Sequence, residues 1–355
     1  MRHITQKEVV INGRKIGPGH PVYIIAEMSA NHNQDFDQAV RILRAAKLAG
    51  ADAVKLQTYT PDTLTINCKN EYFQIEGTLW EGRSLYDLYG EAYTPWDWLP
   101  ALKETADRLG VHIFSTPFDA SAVDFLEEMD VPAYKIASFE NVDLPLLQRV
   151  ATTGKPVIMS TGMASLGEIE EALDTLRIAG NTQMALMKCT SSYPAPPEEM
   201  NIRTIPHLSE SFGVPVGLSD HTLDLAIPVS GVALGACIIE KHLTLSRDLP
   251  GPDSAFSLEP AEFESMVKAV RTTEKALGKV FYGVSSEESQ SRVFRRSLFV
   301  VKDMKSGEQF TPVNVRSIRP GYGLHTRHLR DIVGKKASKD IVRGTPLNWS
   351  QVTGY

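Results

Sequence analysis

Apolar residues along this chain fall into short continuous runs that alternate with longer stretches of helical period. Val22 to Glu27 reads as a buried strand and Asp35 to Ala49 as an amphipathic helix stopped at Gly50. A second strand, Ala53 to Gln57, is followed by Thr58 to Thr94, a long stretch with scattered aromatics and little periodicity. Such a connection reads as a functional loop or an inserted hairpin. The alternation then resumes. Helix Pro95 to Leu109 leads to strand Val111 to Ser115, helix Asp119 to Met129 to strand Ala133 to Ile136, and helix Leu144 to Thr152 to strand Pro156 to Met159. Helix Ser165 to Ile178 precedes strand Met184 to Lys188, helix Pro197 to Ser211 precedes Val216 to Leu218, and helix Leu223 to Leu234 precedes Ala236 to Lys241. Helix Pro260 to Leu277 closes the series.

Eight strands, each followed by a helix, is the number that closes a (β/α)8 barrel, so the α/β alternation predicts a TIM barrel over residues 1–278. A doubly wound open sheet is the alternative. It rarely uses eight regular units, and no GxGxxG follows the first strand. Residues 279–294 are polar and rich in Ser and Glu, as a linker or exposed helix would be. Residues 295–355 read as a small module with strands at Ser297 to Val301, Val313 to Arg316 and Ile341 to Pro346 and a loop at Arg319 to Gly323. At roughly 60 residues it depends on packing against something larger.

Composition narrows the function. The 355 residues are 42% hydrophobic and 23% charged, with a net charge of -6, which argues against a nucleic-acid or anionic-membrane partner. Three cysteines without CxxC spacing signal neither a disulfide framework nor a thiolate zinc site. With no secretory leader and no long apolar span, a reducing cytoplasm is the expected location.

In a (β/α)8 barrel the active site lies at the carboxyl ends of the strands. Nearly every predicted strand ends in polar groups: Glu27, Asn31 and His32; Lys55 and Gln57; Ser115 and Thr116; Lys135 and Ser138; Ser160 and Thr161; Lys188, Thr190, Ser191 and Tyr193; Ser219 and His221; Glu240 and His242. Side chains alternate along a strand, so Glu240 and His242 share a face while Lys241 points away. Lys55 and Lys135, with the hydroxyls of Thr116, Ser138, Ser160 and Ser219, can neutralise a phosphate and a carboxylate together. For both lysines the alternative is a structural ion pair with Glu27 or Glu240. Glu27, His221 and His242 offer oxygen and imidazole ligands suited to a divalent ion such as manganese. No GxSxG nucleophile and no histidine–carboxylate triad is legible, which favours positioning, charge neutralisation and a Lewis-acid metal over covalent catalysis.

The same stretches carry a resemblance that runs over almost the entire chain. IAEMSANHN (Ile25 to Asn33), VKLQTY (Val54 to Tyr59), FSTPFD (Phe114 to Asp119), YKIAS (Tyr134 to Ser138), MSTGMAS (Met159 to Ser165), KCTSSYP (Lys188 to Pro194), GLSDHT (Gly217 to Thr222), IEKH (Ile239 to His242) and GPDSAFSL (Gly251 to Leu258) resemble the sialic acid synthase family. RRSLFV and RPGYG resemble its C-terminal antifreeze-like (SAF) domain. AEMSANHN and LYGEAYTPWDW (Leu88 to Trp98) are similar to the pseudaminic acid synthase branch. Ser191 stands where N-acetylneuraminate synthases have Asn, and Gln34 where Gly is usual.

The resemblance implies condensation of phosphoenolpyruvate with an open-chain amino-sugar aldehyde, here 2,4-diacetamido-2,4,6-trideoxy-L-altrose, with manganese as metal and phosphate released. It implies Lys55, Thr116, Lys135, Ser138, Ser160, Ser191 and Ser219 for phosphoenolpyruvate, and Gln57, Tyr193 and Asp253 for the sugar. Glu27 would orient or deprotonate the attacking water, and Glu240 would bind sugar hydroxyls or manage the aldehyde's proton. His221 and His242 would hold the metal. The antifreeze-like module would cover the active site of the other subunit in a domain-swapped homodimer, with Arg319 contacting the sugar. An N-acetylneuraminate or legionaminate synthase, using another amino sugar, remains open. So does a Schiff-base aldolase with Lys135 or Lys188 as its amine. A non-enzymatic ice or carbohydrate binder would rest on the small module alone, which lacks a flat Thr-rich array.

Overall fold

The computed structural model describes residues 8–354, which fall into two compact units that divide between Gly278 and Lys279. The first opens with a hairpin, β1 (Val9–Ile11) and β2 (Arg14–Ile16). Eight parallel strands then close a barrel: β3 (Tyr23–Glu27), β4 (Ala53–Thr58), β5 (His112–Pro117), β6 (Tyr134–Ile136), β7 (Val157–Ser160), β8 (Met184–Cys189), β9 (Val216–Asp220) and β10 (Ile238–His242), with β10 pairing back onto β3. Side chains on both faces of these strands are buried, as expected where a parallel sheet is covered by helices outside and filled by side chains within.

The outer helices follow their strands in order: α1 (Phe36–Leu48); α2 (Pro61–Leu64), α3 (Leu85–Ala92) and α4 (Leu99–Leu109), all after β4; then α5 (Ala120–Glu128), α6 (Leu144–Ala151), α7 (Leu166–Ile178), α8 (Thr204–Phe212), α9 (Ala226–Ala233) and α10 (Pro260–Leu277). Their starts are written in the sequence. Asp35, Asp119 and Asp143 cap α1, α5 and α6, and Ser165 with Glu168 forms a capping box on α7. In α7 the buried set Ile169, Ala172, Leu173 and Leu176 has the 3, 4, 7 spacing of one helix face. No helix among the described residues is long and apolar enough to cross a membrane.

Arg14 of the hairpin reaches Asp52 and the carbonyl of Val22, which stand just before β4 and β3. The hairpin therefore sits at the amino-terminal end of the barrel, leaving the opposite end open. Gly217 is required inside β9, because a Cβ there would come within 2.6 Å of Ile238 and Met187 on the flanking strands.

Three expectations are corrected. The segment 58–94 is not a hairpin: α2, a 3-10 turn at Glu71–Phe73 and α3 occupy it, with one isolated bridge between Gln74 and Ser84. The small module contains two paired strands, β11 (Ser297–Val300) and β12 (Val315–Ile318), so the second strand lies two residues later than the pattern predicts. Ile341 and Pro346 make only isolated bridges, to Met304 and Phe299, because turns interrupt the chain on either side. The module has its own core of Leu298, Val300, Phe310, Val315, Ile332 and Leu347.

Candidate active site

Register decides which side chains meet at the carboxyl end of the barrel. Glu27 lies beside Lys55 on one side and His242 on the other, while Glu240 lies beside Ser219. Lys241 turns to the outer face and is fully buried there with Asp220, 2.5 Å away, and with the carbonyl of Thr222. That pair ties the ends of β9 and β10 together just where His221 and His242 emerge. Removing one partner of a buried ion pair strands the other charge at about 3–5 kcal/mol. Lys241→Ala should therefore lower unfolding free energy by about that amount in denaturant melts, whereas an exposed pair such as Lys305–Asp340 should matter little when broken.

The strand ends enclose a cavity of about 490 Å3. Lys55 Nζ is 2.9 Å from the Glu27 carboxylate and 3.6 Å from that of Glu240, and Lys135 Nζ is 3.8 Å from Glu240. Lys135 also donates to Ser160 Oγ at 2.6 Å, Ser219 donates to Glu240 at 3.3 Å, and Gln57 donates to Glu27 at 3.0 Å. The two buried carboxyls are driven apart. Burial, and then the Glu240 charge, push Glu27 up to about 7 against the pull of Lys55. Glu240 is held low because Lys135 and Lys55 outweigh its burial. A pair of carboxyls separated in this way supplies one group that titrates near neutrality and one that stays charged.

The hydroxyls of Ser138 and Ser191 converge against Gly162, which follows β7. A Cβ on Gly162 would collide with both, and its N–H donates to Ser138 at 3.1 Å. Two lysines and the hydroxyls of Ser138, Ser160 and Ser219 make a small anion cradle, with the Gly162 N–H holding Ser138 in place.

His221 and His242 stand with ring centroids 5.3 Å apart, flanked by Tyr193 and Phe256. His221 Nδ1 is 2.9 Å from the carbonyl of Thr190, which fixes the proton on that nitrogen and leaves Nε2 as the acceptor. Burial holds His242 well below the usual histidine range, hence neutral, and its Nδ1 has no hydrogen-bond partner. Glu240 Oε2 is likewise buried without one. His242, a neutral imidazole with a free nitrogen beside a bare carboxylate oxygen, fits a divalent ion. Against its burial, Cys189 and the Thr190 carbonyl hold His221 above the usual histidine range, so His221 would have to give up a proton to join it as a ligand. No group of three or more His, Cys, Asp or Glu among the described residues is arranged to hold an ion, so the remaining ligands would have to be water and substrate.

Of the fifteen side chains to which the resemblance gives a role, all but three line this cavity, whereas Asn31, His32, Ser115, Thr161 and Thr190, also named at the strand ends, do not. Thr116 lies behind it, accepting from Lys55 Nζ at 3.3 Å. Ser191 reaches it only through Ser138 and Cys189. Arg319 belongs to the second unit, where it is exposed. Asp253 is held by Ser29 and the N–H of Ala30. Lys188 turns aside to the carbonyl of Cys189 at 2.7 Å and is not among the lining residues. Sequence reasoning passed over Ser29, Trp80, Glu140, Cys189 and Phe256, which do line the cavity. Ser29, Cys189 and Phe256 stand inside quoted motifs, whereas nothing periodic marks Trp80. Its indole donates to the carbonyl of Pro252 at 2.9 Å and its ring packs on Tyr193.

Comparison with known proteins now bears on this geometry. The family model described as "NeuB family" matches residues 42–282. The chain belongs to the NeuB family. A SAF domain model matches residues 295–353, so this NeuB-family chain is a TIM barrel followed by a SAF domain. It is 47% identical over 326 residues to a pseudaminic acid synthase of Campylobacter jejuni, covering 92% of this chain and 95% of that protein. It is 45% identical over 329 residues to a pseudaminic acid synthase of Helicobacter pylori, covering 92% and 97%. The crystal structure of a sialic acid synthetase from Leptospira borgpetersenii, in complex with citrate, superposes with a TM-score of 0.72 at 33% identity, covering 82% of this chain and 96% of that one.

Proposed function

We infer that this protein is a pseudaminic acid synthase, a carbon–carbon bond-forming transferase. It joins phosphoenolpyruvate to 2,4-diacetamido-2,4,6-trideoxy-L-altrose and releases phosphate. The observation that carries the reading is the 45–47% identity to pseudaminic acid synthases over 92% of the chain. The lysine-lined anion cradle at the barrel mouth supports it. The identity to a sialic acid synthetase is lower, 33%, which favours this sugar over that of an N-acetylneuraminate synthase.

In this reading Lys55 and Lys135 neutralise the phosphate and carboxylate of phosphoenolpyruvate, with Ser138, Ser160 and Ser219 as hydrogen-bonding partners, Ser191 backing Ser138 and Thr116 steadying Lys55 from behind. A divalent ion, manganese first, would be held by His221 and His242, and when bound it would polarise the sugar's aldehyde. Carbon 3 of the enol then bonds to the aldehyde carbon, whose oxygen takes up a proton. Water adds at carbon 2, and collapse of that centre breaks its bond to the phosphate oxygen. Glu27, titrating near neutrality, takes the proton of the attacking water. Glu240, kept charged, holds sugar hydroxyls, and Gln57, Tyr193 and Asp253 position the rest of the sugar. Arg319 would reach the sugar from a second copy in a domain-swapped homodimer. Its exposure supports that role, as does the exposed apolar run Val280, Phe281 and Tyr282 just beyond the barrel.

The test is phosphate release from phosphoenolpyruvate with manganese and a panel of open-chain amino sugars. The diacetamido-trideoxy sugar should give the highest kcat/KM. Preference for N-acetylmannosamine would make the chain an N-acetylneuraminate synthase instead.

A further inference from the structure

The cavity has an apolar half that the chemistry above does not use. Its polar half is built from strand ends. The other half comes largely from the segment between β4 and α4: Leu64, Leu85, Leu88 and Ala92 line it, with Phe118 after β5 and Phe139 after β6. Phe139 lines the cavity and is 58% exposed, so its side chain has apolar surface left for a ligand to cover. Its neighbour Glu140 carries a buried oxygen, Oε2, with no hydrogen-bond partner, and burial pushes that carboxyl up to about 7. An apolar wall with a single unmatched acceptor suits a ligand that presents methyl groups and one N–H.

We propose that the wall formed by α3 and Phe139 selects the deoxygenated, N-acylated end of the sugar, with Phe139 and Leu85 as specificity-determining side chains and Glu140 accepting from an amide N–H. This rests on the proposed condensation with a diacetamido-trideoxy sugar and adds the residues that recognise it. The argument is one of polarity and place. Lysines, carboxylates and imidazoles occupy the half where the aldehyde meets phosphoenolpyruvate, so the far end of the sugar meets the wall. A hydroxyl buried against Leu85, Leu88 and Phe139, out of reach of Glu140, would lose its water without gaining a partner, whereas a methyl group gains contact. The same assignment gives the aperiodic segment 58–94 a role, since its Leu64, Ile75, Trp80, Leu85, Leu88 and Ala92 line a ligand cavity rather than the barrel core.

The experiment uses the full-length protein, phosphoenolpyruvate, manganese and two diacetamido sugars that differ only in a hydroxyl at carbon 6, read by phosphate release. The wild type should favour the 6-deoxy sugar by about 10- to 200-fold in kcat/KM. Phe139→Ala should raise KM for the 6-deoxy sugar by roughly tenfold, leave KM for phosphoenolpyruvate unchanged, and so shrink the preference. Leu85→Ser should shrink it in the same way. Both side chains are only partly buried, and an unchanged KM for phosphoenolpyruvate reports an intact barrel mouth. Phosphate release with the same preference in wild type and both variants would overturn the inference and leave the proposed function standing. Absence of phosphate release from either sugar with the wild type would overturn the proposed function, and the inference with it.

Discussion

Glu27→Gln should lower kcat by about a hundred- to ten-thousand-fold, the range expected when a positioned acid–base group is lost, while the barrel stays folded. The substitution preserves shape and the Gln57 contact and, although it removes one charge from the Lys55 ion pair, leaves Glu240 3.6 Å from that lysine, so its main loss is the ability to hold and release a proton. Burial and the neighbouring Glu240 charge set the Glu27 carboxyl near 7. Because the base must be deprotonated to act, wild-type kcat should fall as pH drops through about 7, the value set for Glu27. The pH–rate profile of the variant should lack that limb. A Glu27→Gln profile with wild-type shape and height would assign proton transfer to another group.

The barrel was legible because each strand is buried on both faces and therefore appears as a continuous apolar run, and because Asp35, Asp119, Asp143 and Ser165 mark the helix starts. The site was legible for a related reason: Lys55, Lys135 and Glu240 are charged residues in strands that are otherwise apolar, and such residues are retained only with partners. Lys55 proves to be both an anion-binding candidate and the ion-pair partner of Glu27, readings that the sequence left as alternatives. The amino-terminal hairpin escaped notice because its strands are three residues long and carry Arg14 and Lys15, although Asn12-Gly13, both at positive φ, is a hairpin turn signal. Cys189 escaped because a free cysteine in an apolar strand looks like a small hydrophobe. It lies against His221, which outweighs burial and lowers the thiol to about 7.

His242→Ala should abolish turnover while leaving the unfolding transition close to that of the wild type. His242 Nδ1 makes no hydrogen bond, so removing the ring breaks no polar contact at that atom. Loss of a residue that merely supports a metal ligand typically costs about 10- to 100-fold, so loss of a ligand itself should exceed that. EDTA should silence the wild type and manganese should restore it, and manganese should not rescue His242→Ala. His221→Ala should behave alike. Full activity of either variant after EDTA treatment would remove the metal from this account.

The most direct test of the synthase reading is to identify the product by mass spectrometry, with phosphate counted by 31P resonance, after incubating the protein with phosphoenolpyruvate, manganese and 2,4-diacetamido-2,4,6-trideoxy-L-altrose. The account predicts one nine-carbon diacetamido 2-keto acid per phosphate released, and neither product with His242→Ala. Absence of that acid, or a borohydride-trapped pyruvate adduct on Lys135 as a Schiff-base aldolase would give, would contradict it.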